Sequence, residues 1–169
     1  MQIELLDASH ADQPTLTNLL QLYLYDLRDF GGPPPDAQGR FAPPSLDPYW
    51  SAPNHRAFLI RSGGELAGFA LICRCSRLHT AFDGHVVAEF FVMRGCRRRG
   101  VGSAAAMRLF NMFPGRWEIA TPVVNIPATA FWRSVSQRYT GGAYDEVWAQ
   151  QDGWRGTIES FTAPGVGGS

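Results

Sequence analysis

Between residues 86 and 113 the chain reads VVAEFFVMRGCRRRGVGSAAAMRLFNMF, and its arginines and glycines are spaced to hold an anion. Gly100 and Gly102 bracket Val101 where an apolar strand pattern gives way to helical spacing, so they fall at a first helical turn. A helix start has unpaired N–H groups and a partial positive charge, and glycine lets a ligand approach the backbone; a phosphate suits that place. Arg94, Arg97, Arg98 and Arg99 add full charges beside it. A second chemistry lies in two lone carboxylates. Glu89 is the only charge inside the apolar strand, and Glu118 sits between Trp117 and Ile119 in another. A carboxylate buried beside a substrate ammonium is tuned as a proton acceptor. For Glu89 the plain structural alternative is an ion pair with Arg94 or Arg74.

The elements that must position these groups follow from periodicity. Gln2 to Leu6 is a short first strand, and Asp12 with Pro14 marks a helix start. Leu16, Leu19, Leu20, Tyr23, Leu27 and Phe30 then form one apolar stripe that ends at Gly31 and Gly32. Tyr25, Asp26 and Asp29 lie off that stripe, as solvated groups or as the lining of a cleft. From Gly31 to Pro53 glycines and prolines interrupt the pattern, so the segment reads as a long irregular loop of the kind that covers binding sites. Arg56 to Arg61 and Glu65 to Cys75 are strands joined by Ser62-Gly63-Gly64, with Cys73 and Cys75 on one strand face. The central strand Val86 to Val92 and the helix ending at Pro114-Gly115 follow. Trp117 to Thr121 is the next strand, Pro127 starts a helix that Tyr139-Thr140-Gly141-Gly142 closes, and Tyr144–Ala149 with Gly156–Phe161 pair as a terminal hairpin. This order is α+β, or mixed α/β, and not doubly wound.

Composition narrows the class. A chain of 169 residues with 45% hydrophobic content fits one domain, residues 1–163, with a disordered tail over 164–169. Lysine plus arginine balance aspartate plus glutamate at 15 each, so no long-range field draws the whole molecule to nucleic acid or an anionic membrane. The N-terminus has no signal-peptide pattern and no window reaches membrane-spanning length, so a cytoplasmic protein is expected. Cys73, Cys75 and Cys96 form neither a disulfide framework nor a zinc pattern, and no metal is expected.

Arg97-x-x-Gly100-x-Gly102 after an apolar strand resembles the pyrophosphate motif, Q/R-x-x-G-x-G/A, of the GNAT N-acetyltransferase superfamily. Asn125-x-x-Ala128-x-x-Phe131-Trp132 resembles the second signature of that superfamily, Asn-x-x-Ala-x-x-x-Tyr, and the two occur in the right order. Phe-Trp-Arg and Tyr-Thr-Gly-Gly in this region also look like one branch of uncharacterised predicted acetyltransferases. The resemblance implies a GNAT fold, a mostly antiparallel twisted sheet of about six to seven strands flanked by helices. It implies acetyl-CoA as acyl donor and an amine of a small molecule or peptide as acceptor, with a homodimer left open and no nucleic acid or membrane partner. It places the pantetheine and thioester on the backbone of Phe90, Phe91, Val92 and Met93. The pyrophosphate falls on Arg97, Arg98, Arg99, Gly100, Val101, Gly102 and Ser103, with Asn125 and Trp132 also on the cofactor. Glu118 lies on the fifth strand, where several members carry a catalytic acid, so Glu89 and Glu118 are both candidates for the base.

Trp132 stands where the family pattern has tyrosine, and an indole cannot act as a general acid. Trp132 therefore reads as a wall for the pantetheine. Ser134, Ser136, Tyr139 or water remain for the thiolate's proton. The acceptor is expected between the Gly31–Pro53 segment and the far ends of the central strands, where Asp47, Tyr49 and Trp50 offer a carboxylate and aromatic faces to a cation. Packing of Tyr49 and Trp50 into the core is the equal alternative. Two other readings stand beside the enzyme: a degenerate GNAT-fold module that senses CoA, and an NAD(P)-binding enzyme suggested by Gly100-x-Gly102-x-x-Ala105.

Overall fold

A computed structural model describes residues 2–165. Seven strands are present among them: β1 (Ile3–Asp7), β2 (Arg56–Ser62), β3 (Glu65–Cys73), β4 (His85–Val92), β5 (Gly115–Pro122), β6 (Asp145–Gln151) and β7 (Trp154–Ala163). The helices are α1 (Gln13–Leu27), α2 (Asp47–Ser51), α3 (Val101–Met112) and α4 (Ile126–Thr140). The sheet order is β1-β2-β3-β4-β5-β7-β6. β1–β2, β5–β7 and β6–β7 pair antiparallel, while β4 and β5 pair parallel over His85–Val87 and Trp117–Ile119. The mixed, mostly antiparallel architecture read from the sequence is therefore the one formed.

The chain packs as two compact units, one of residues through Leu71 with Glu89–Val101, the other of Ile72–Ala88 with the chain from Gly102 onward. In the first unit α1 buries Leu16, Leu19, Leu20 and Leu24, the stripe expected from its periodicity. Phe58, Ile60, Phe69 and Leu71 of β2 and β3 are fully buried in the same unit. Gly63 and Gly64 adopt φ of 60° and 83°, which explains the Ser-Gly-Gly turn between those strands. At Gly68 a Cβ would lie 2.0 Å from the Phe91 carbonyl oxygen, so only glycine lets β3 run this close to β4.

Two local expectations are corrected here. The Gly31–Pro53 segment is not irregular throughout: Asp47–Ser51 forms α2, with Pro48 in its first turn and Leu46 buried just before it. Cys73 and Cys75 do not share a strand face, because β3 stops at Cys73. Cys73 is buried and Cys75 exposed beyond the strand end, its N–H donating to Cys73 Sγ at 3.3 Å.

In the second unit an aromatic group fixes α3 on the sheet: the Phe110 ring lies 4.9 Å from both Trp117 and Phe161. Trp117, with no exposed surface, donates its indole N–H to the Phe113 carbonyl at 2.9 Å and ties the end of α3 to β5. α4 closes at Gly141, whose φ of 66° suits a left-handed cap. The terminal hairpin is longer than the sequence suggests, and it turns at Asp152 and Gly153, both with positive φ. Of the segment expected to be a disordered tail, residues 166–169 lie outside the described residues.

Beneath α4 lies a buried acid with no place in the sequence reading. Glu159 on β7 is 1% exposed, and the fully buried Ser136 hydroxyl of α4 is the polar group set against its carboxyl. Burial raises the Glu159 carboxyl above the ordinary carboxylate range. The folded state therefore holds this proton more tightly than the unfolded chain. Stability from the group is complete below the ordinary range and is lost as pH rises through the raised value. Glu159→Gln is expected to flatten that fall and to make the protein more stable at neutral pH. Denaturant melts of both proteins from mildly acidic to neutral pH measure it; parallel pH profiles would contradict the assignment.

Candidate functional site

β4 delivers the chain to the arginine-rich loop, and the loop is held from below by the first helix. Residues 93–100 connect β4 to α3, beginning with a short 3-10 turn at Arg94–Cys96. Arg97 turns back toward the strand: its Nε donates to the Val92 carbonyl at 2.6 Å and its terminal nitrogen to Asp26 of α1. Its guanidinium also lies 5.5 Å from the centre of the Phe91 ring. Arg94 donates to the same aspartate at 2.9 Å. Asp26, with a side chain only 14% exposed, thus staples α1 to the loop through two arginines.

That staple leaves the loop's remaining groups disposed differently. Arg98 and Gly100 both have left-handed backbone, with φ of 60° and 78°, and a Cβ added at Gly100 would meet nothing within 4 Å. Arg98 and Arg99 are exposed, and their side chains form no ion pair among the described residues. Val101, 1% exposed, anchors the first turn of α3, and Gly102 and Ser103 follow it half-buried. The loop therefore combines two uncommitted guanidinium groups, open backbone at a glycine and the N-terminus of a twelve-residue helix. Those are the elements of an anion cradle.

Upstream, Phe90 and Met93 are half-buried and Phe91 and Val92 buried, and the Met93 N–H is engaged by the Ala67 carbonyl at 2.8 Å. Glu89 is half-buried, and Tyr23 of α1 donates its hydroxyl to Glu89 Oε2 at 2.5 Å. Burial, then the Glu89 charge, pushes the Tyr23 phenol far above its ordinary range, so it stays protonated and serves only as donor. The alternative partners of Glu89 are spoken for: Arg94 pairs with Asp26 and Arg74 with Asp83. Sequence reasoning placed Tyr23 in an apolar stripe and missed this bond. The signal was present, because a tyrosine among buried leucines must find a partner for its hydroxyl.

Glu118 belongs to the second unit and has a different setting. It is 1% exposed, accepts from Ser76 Oγ at 2.5 Å, and its other oxygen lies 3.7 Å from His79 Nε2. Ser76 Oγ in turn accepts the backbone N–H groups of Leu78 at 3.0 Å and His79 at 3.1 Å. The carboxylate thereby organises the turn after β3. Asn125 is the N-cap of α4, its Oδ1 accepting from the Ala128 N–H at 3.2 Å, which accounts physically for the Asn-x-x-Ala spacing. Trp132 is buried at 7% exposure and meets Phe131 edge to face. Of the hydroxyls considered for the thiolate's proton, Ser134 is exposed and Ser136 fully buried. The Tyr139 hydroxyl donates to Asn111 at 2.8 Å.

Asp47, Tyr49 and Trp50 come together on α2, in the same unit as Glu89. Asp47 is exposed; Tyr49 and Trp50 are half-buried, edge-on to His55 at 5.1 Å and His10 at 6.0 Å. The aromatic pair is thus partly packed, and Asp47 is the member that faces solvent.

The sequence profile of the acetyltransferase (GNAT) family matches residues 19–135. No curated protein matches the chain. Among solved structures, an acetyltransferase from Thermus thermophilus superposes with a TM-score of 0.68 at 17% identity, covering 96% of this chain and 97% of that one. An aminoglycoside acetyltransferase in complex with coenzyme A gives 0.68 at 11% identity, covering 95% of each chain. The spermidine N-acetyltransferase of Vibrio cholerae, in complex with CoA and spermine, gives 0.64 at 10% identity and covers 96% of each.

Proposed function

The chain belongs to the acetyltransferase (GNAT) family, and from that premise we propose that it moves an acetyl group from acetyl-CoA to an amine. The observation that supports this most is the loop at the head of α3, where Arg98, Arg99 and open backbone at Gly100 meet a helix N-terminus. Arg98 to Ser103 would hold the pyrophosphate through backbone N–H groups, and Arg97 acts on the loop's shape, being bound to Val92 and Asp26. The backbone of Phe90 to Met93 would hold the pantetheine, and Asn125 caps the start of α4. Acetyl-CoA supplies the thioester whose carbonyl carbon the amine attacks. The NAD(P) reading lacks the tight strand-to-helix turn it requires, because residues 93–100 intervene.

For the base, the half-buried Glu89 is the better placed of the two acids. Tyr23 fixes one carboxylate oxygen by donating to it, which leaves the side chain held in place on β4. An ammonium acceptor would lose its proton to Glu89, the amine nitrogen would form the new bond to carbon, and the sulfur would leave as thiolate. Glu118 is 1% exposed and already committed to Ser76, so its part in the reaction is to hold the turn carrying His79. Thiol release from acetyl-CoA in the presence of an amine panel tests the proposal. A second reading, a CoA sensor without turnover, is favoured by Trp132 at the tyrosine position and predicts CoA binding without amine-dependent release.

The acceptor side is assigned to α2. Asp47 offers an exposed carboxylate beside two aromatic rings, which suits a cationic amine. Asp47→Asn is expected to raise the KM for that amine by about three- to tenfold with acetyl-CoA affinity unchanged. An unaltered KM in steady-state kinetics would move the acceptor site elsewhere.

A further inference from the structure

We infer that Cys73 and Cys75 are a reversible thiol–disulfide pair, closed into a ring across Arg74 by exchange with a low-molecular-weight disulfide of the glutathione type. Both belong to the second unit, where β3 ends at Cys73 and the chain bends at Arg74. Their sulfur atoms lie within 4.8 Å of each other. The Cys75 N–H donates to Cys73 Sγ at 3.3 Å, so the buried sulfur already points along the chain toward its neighbour. A disulfide needs about 2.05 Å between sulfurs, and rotation about χ1 of the exposed Cys75 covers the difference.

Unequal burial sets the order of events. Cys73 is 7% exposed while Cys75 is open to solvent, and exchange requires the attacking sulfur to reach the incoming disulfide, so Cys75 reacts first. Its thiolate bonds to one sulfur of the glutathione disulfide, whose S–S bond breaks and releases the other half as a thiolate. Cys73 then gives up its proton to water and attacks the Cys75 sulfur. The mixed S–S bond breaks, and the second glutathione leaves as a thiolate that takes up a proton. Two protein thiols are oxidised and one small disulfide is reduced to two thiols, so the electrons balance.

The ring is too small to be a structural staple. Closing so short a loop removes little entropy from the unfolded chain, and a strained, exposed disulfide is readily reduced again, which suits a modification that is put on and taken off. Its place gives it a readout. Cys75 directly precedes Ser76, whose Oγ donates to Glu118 at 2.5 Å and accepts the N–H groups of Leu78 and His79, so ring closure acts on the chain as it enters that turn. Cys96 is the single cysteine of the first unit and serves as the internal reference.

Mass spectrometry and thiol counting of the full chain after incubation with oxidised glutathione test the inference. The wild type, which starts with three cysteine thiols, is expected to keep one, to lose the mass of two hydrogens and to retain no glutathione. Trypsin cutting after Arg74 should leave the Cys73 and Cys75 peptides joined until a reductant separates them. Cys73→Ser should stop at the mixed disulfide with one glutathione held on Cys75, and Cys96→Ser should close the same ring as the wild type. A wild type that keeps all three thiols would overturn the inference, as would one that retains glutathione without closing the ring or forms its disulfide through Cys96.

Discussion

Glu89→Gln is expected to lower turnover by about a hundred- to ten-thousand-fold at neutral pH, the usual cost of losing a general base, with acetyl-CoA affinity retained. The substitution keeps the side chain's shape and removes only its capacity to accept a proton. Tyr23 can still donate to the remaining carbonyl oxygen of glutamine, so the geometry between α1 and β4 survives. The loss should therefore appear in kcat and not in the binding of the donor. Glu118→Gln is the internal comparison: its partner Ser76 sits in the turn after β3, and its expected effect is on stability first. A Glu89→Gln enzyme with wild-type turnover across the pH range would exclude this glutamate as the base.

Gly102→Asp is expected to weaken CoA binding by about a hundredfold or more, which corresponds to roughly 3 kcal/mol. An aspartate in the first turn of α3 interacts favourably with the helix dipole, so the fold should hold or gain slightly. A bound pyrophosphate would meet that same carboxylate as a like charge at close range. The two effects have opposite signs, so a stable protein that no longer binds CoA distinguishes ligand repulsion from unfolding. Gly102→Ala, which adds bulk without charge, should show a much smaller loss. Titration calorimetry with CoA reads both variants; unchanged affinity in Gly102→Asp would remove the pyrophosphate from this loop.

Much of this arrangement was legible before the structure, and the part that was not has a common physical cause. Local grammar carried the Ser-Gly-Gly turn, the helix end at Gly141, the leucine stripe of α1 and the glycines at the head of α3. Each depends on neighbours in sequence. The pairing of Tyr23 with Glu89, the clasp of Asp26 on Arg94 and Arg97, and the burial of Glu159 under α4 join residues far apart in the chain. Periodicity shows which face of an element is buried but not what meets it. The short α2 escaped notice for another reason: five residues with one proline present no helical period, and their helicity comes from a proline start and a buried leucine. Arg97 shows the limit of a motif. Its position in the family pattern was evident, yet its side chain holds the loop together instead of facing the open backbone.

Amine-dependent release of free CoA from acetyl-CoA, measured alongside the mass of the acceptor, tests the central claim most directly. With a panel of small amines, polyamines and peptide N-termini, at least one acceptor should release CoA in step with the gain of one acetyl group. Glu89→Gln should slow that release by about a hundredfold or more with the same acceptor. Saturable binding of acetyl-CoA with no amine in the panel raising release above the background hydrolysis rate would contradict the account and leave a protein that senses the donor without using it.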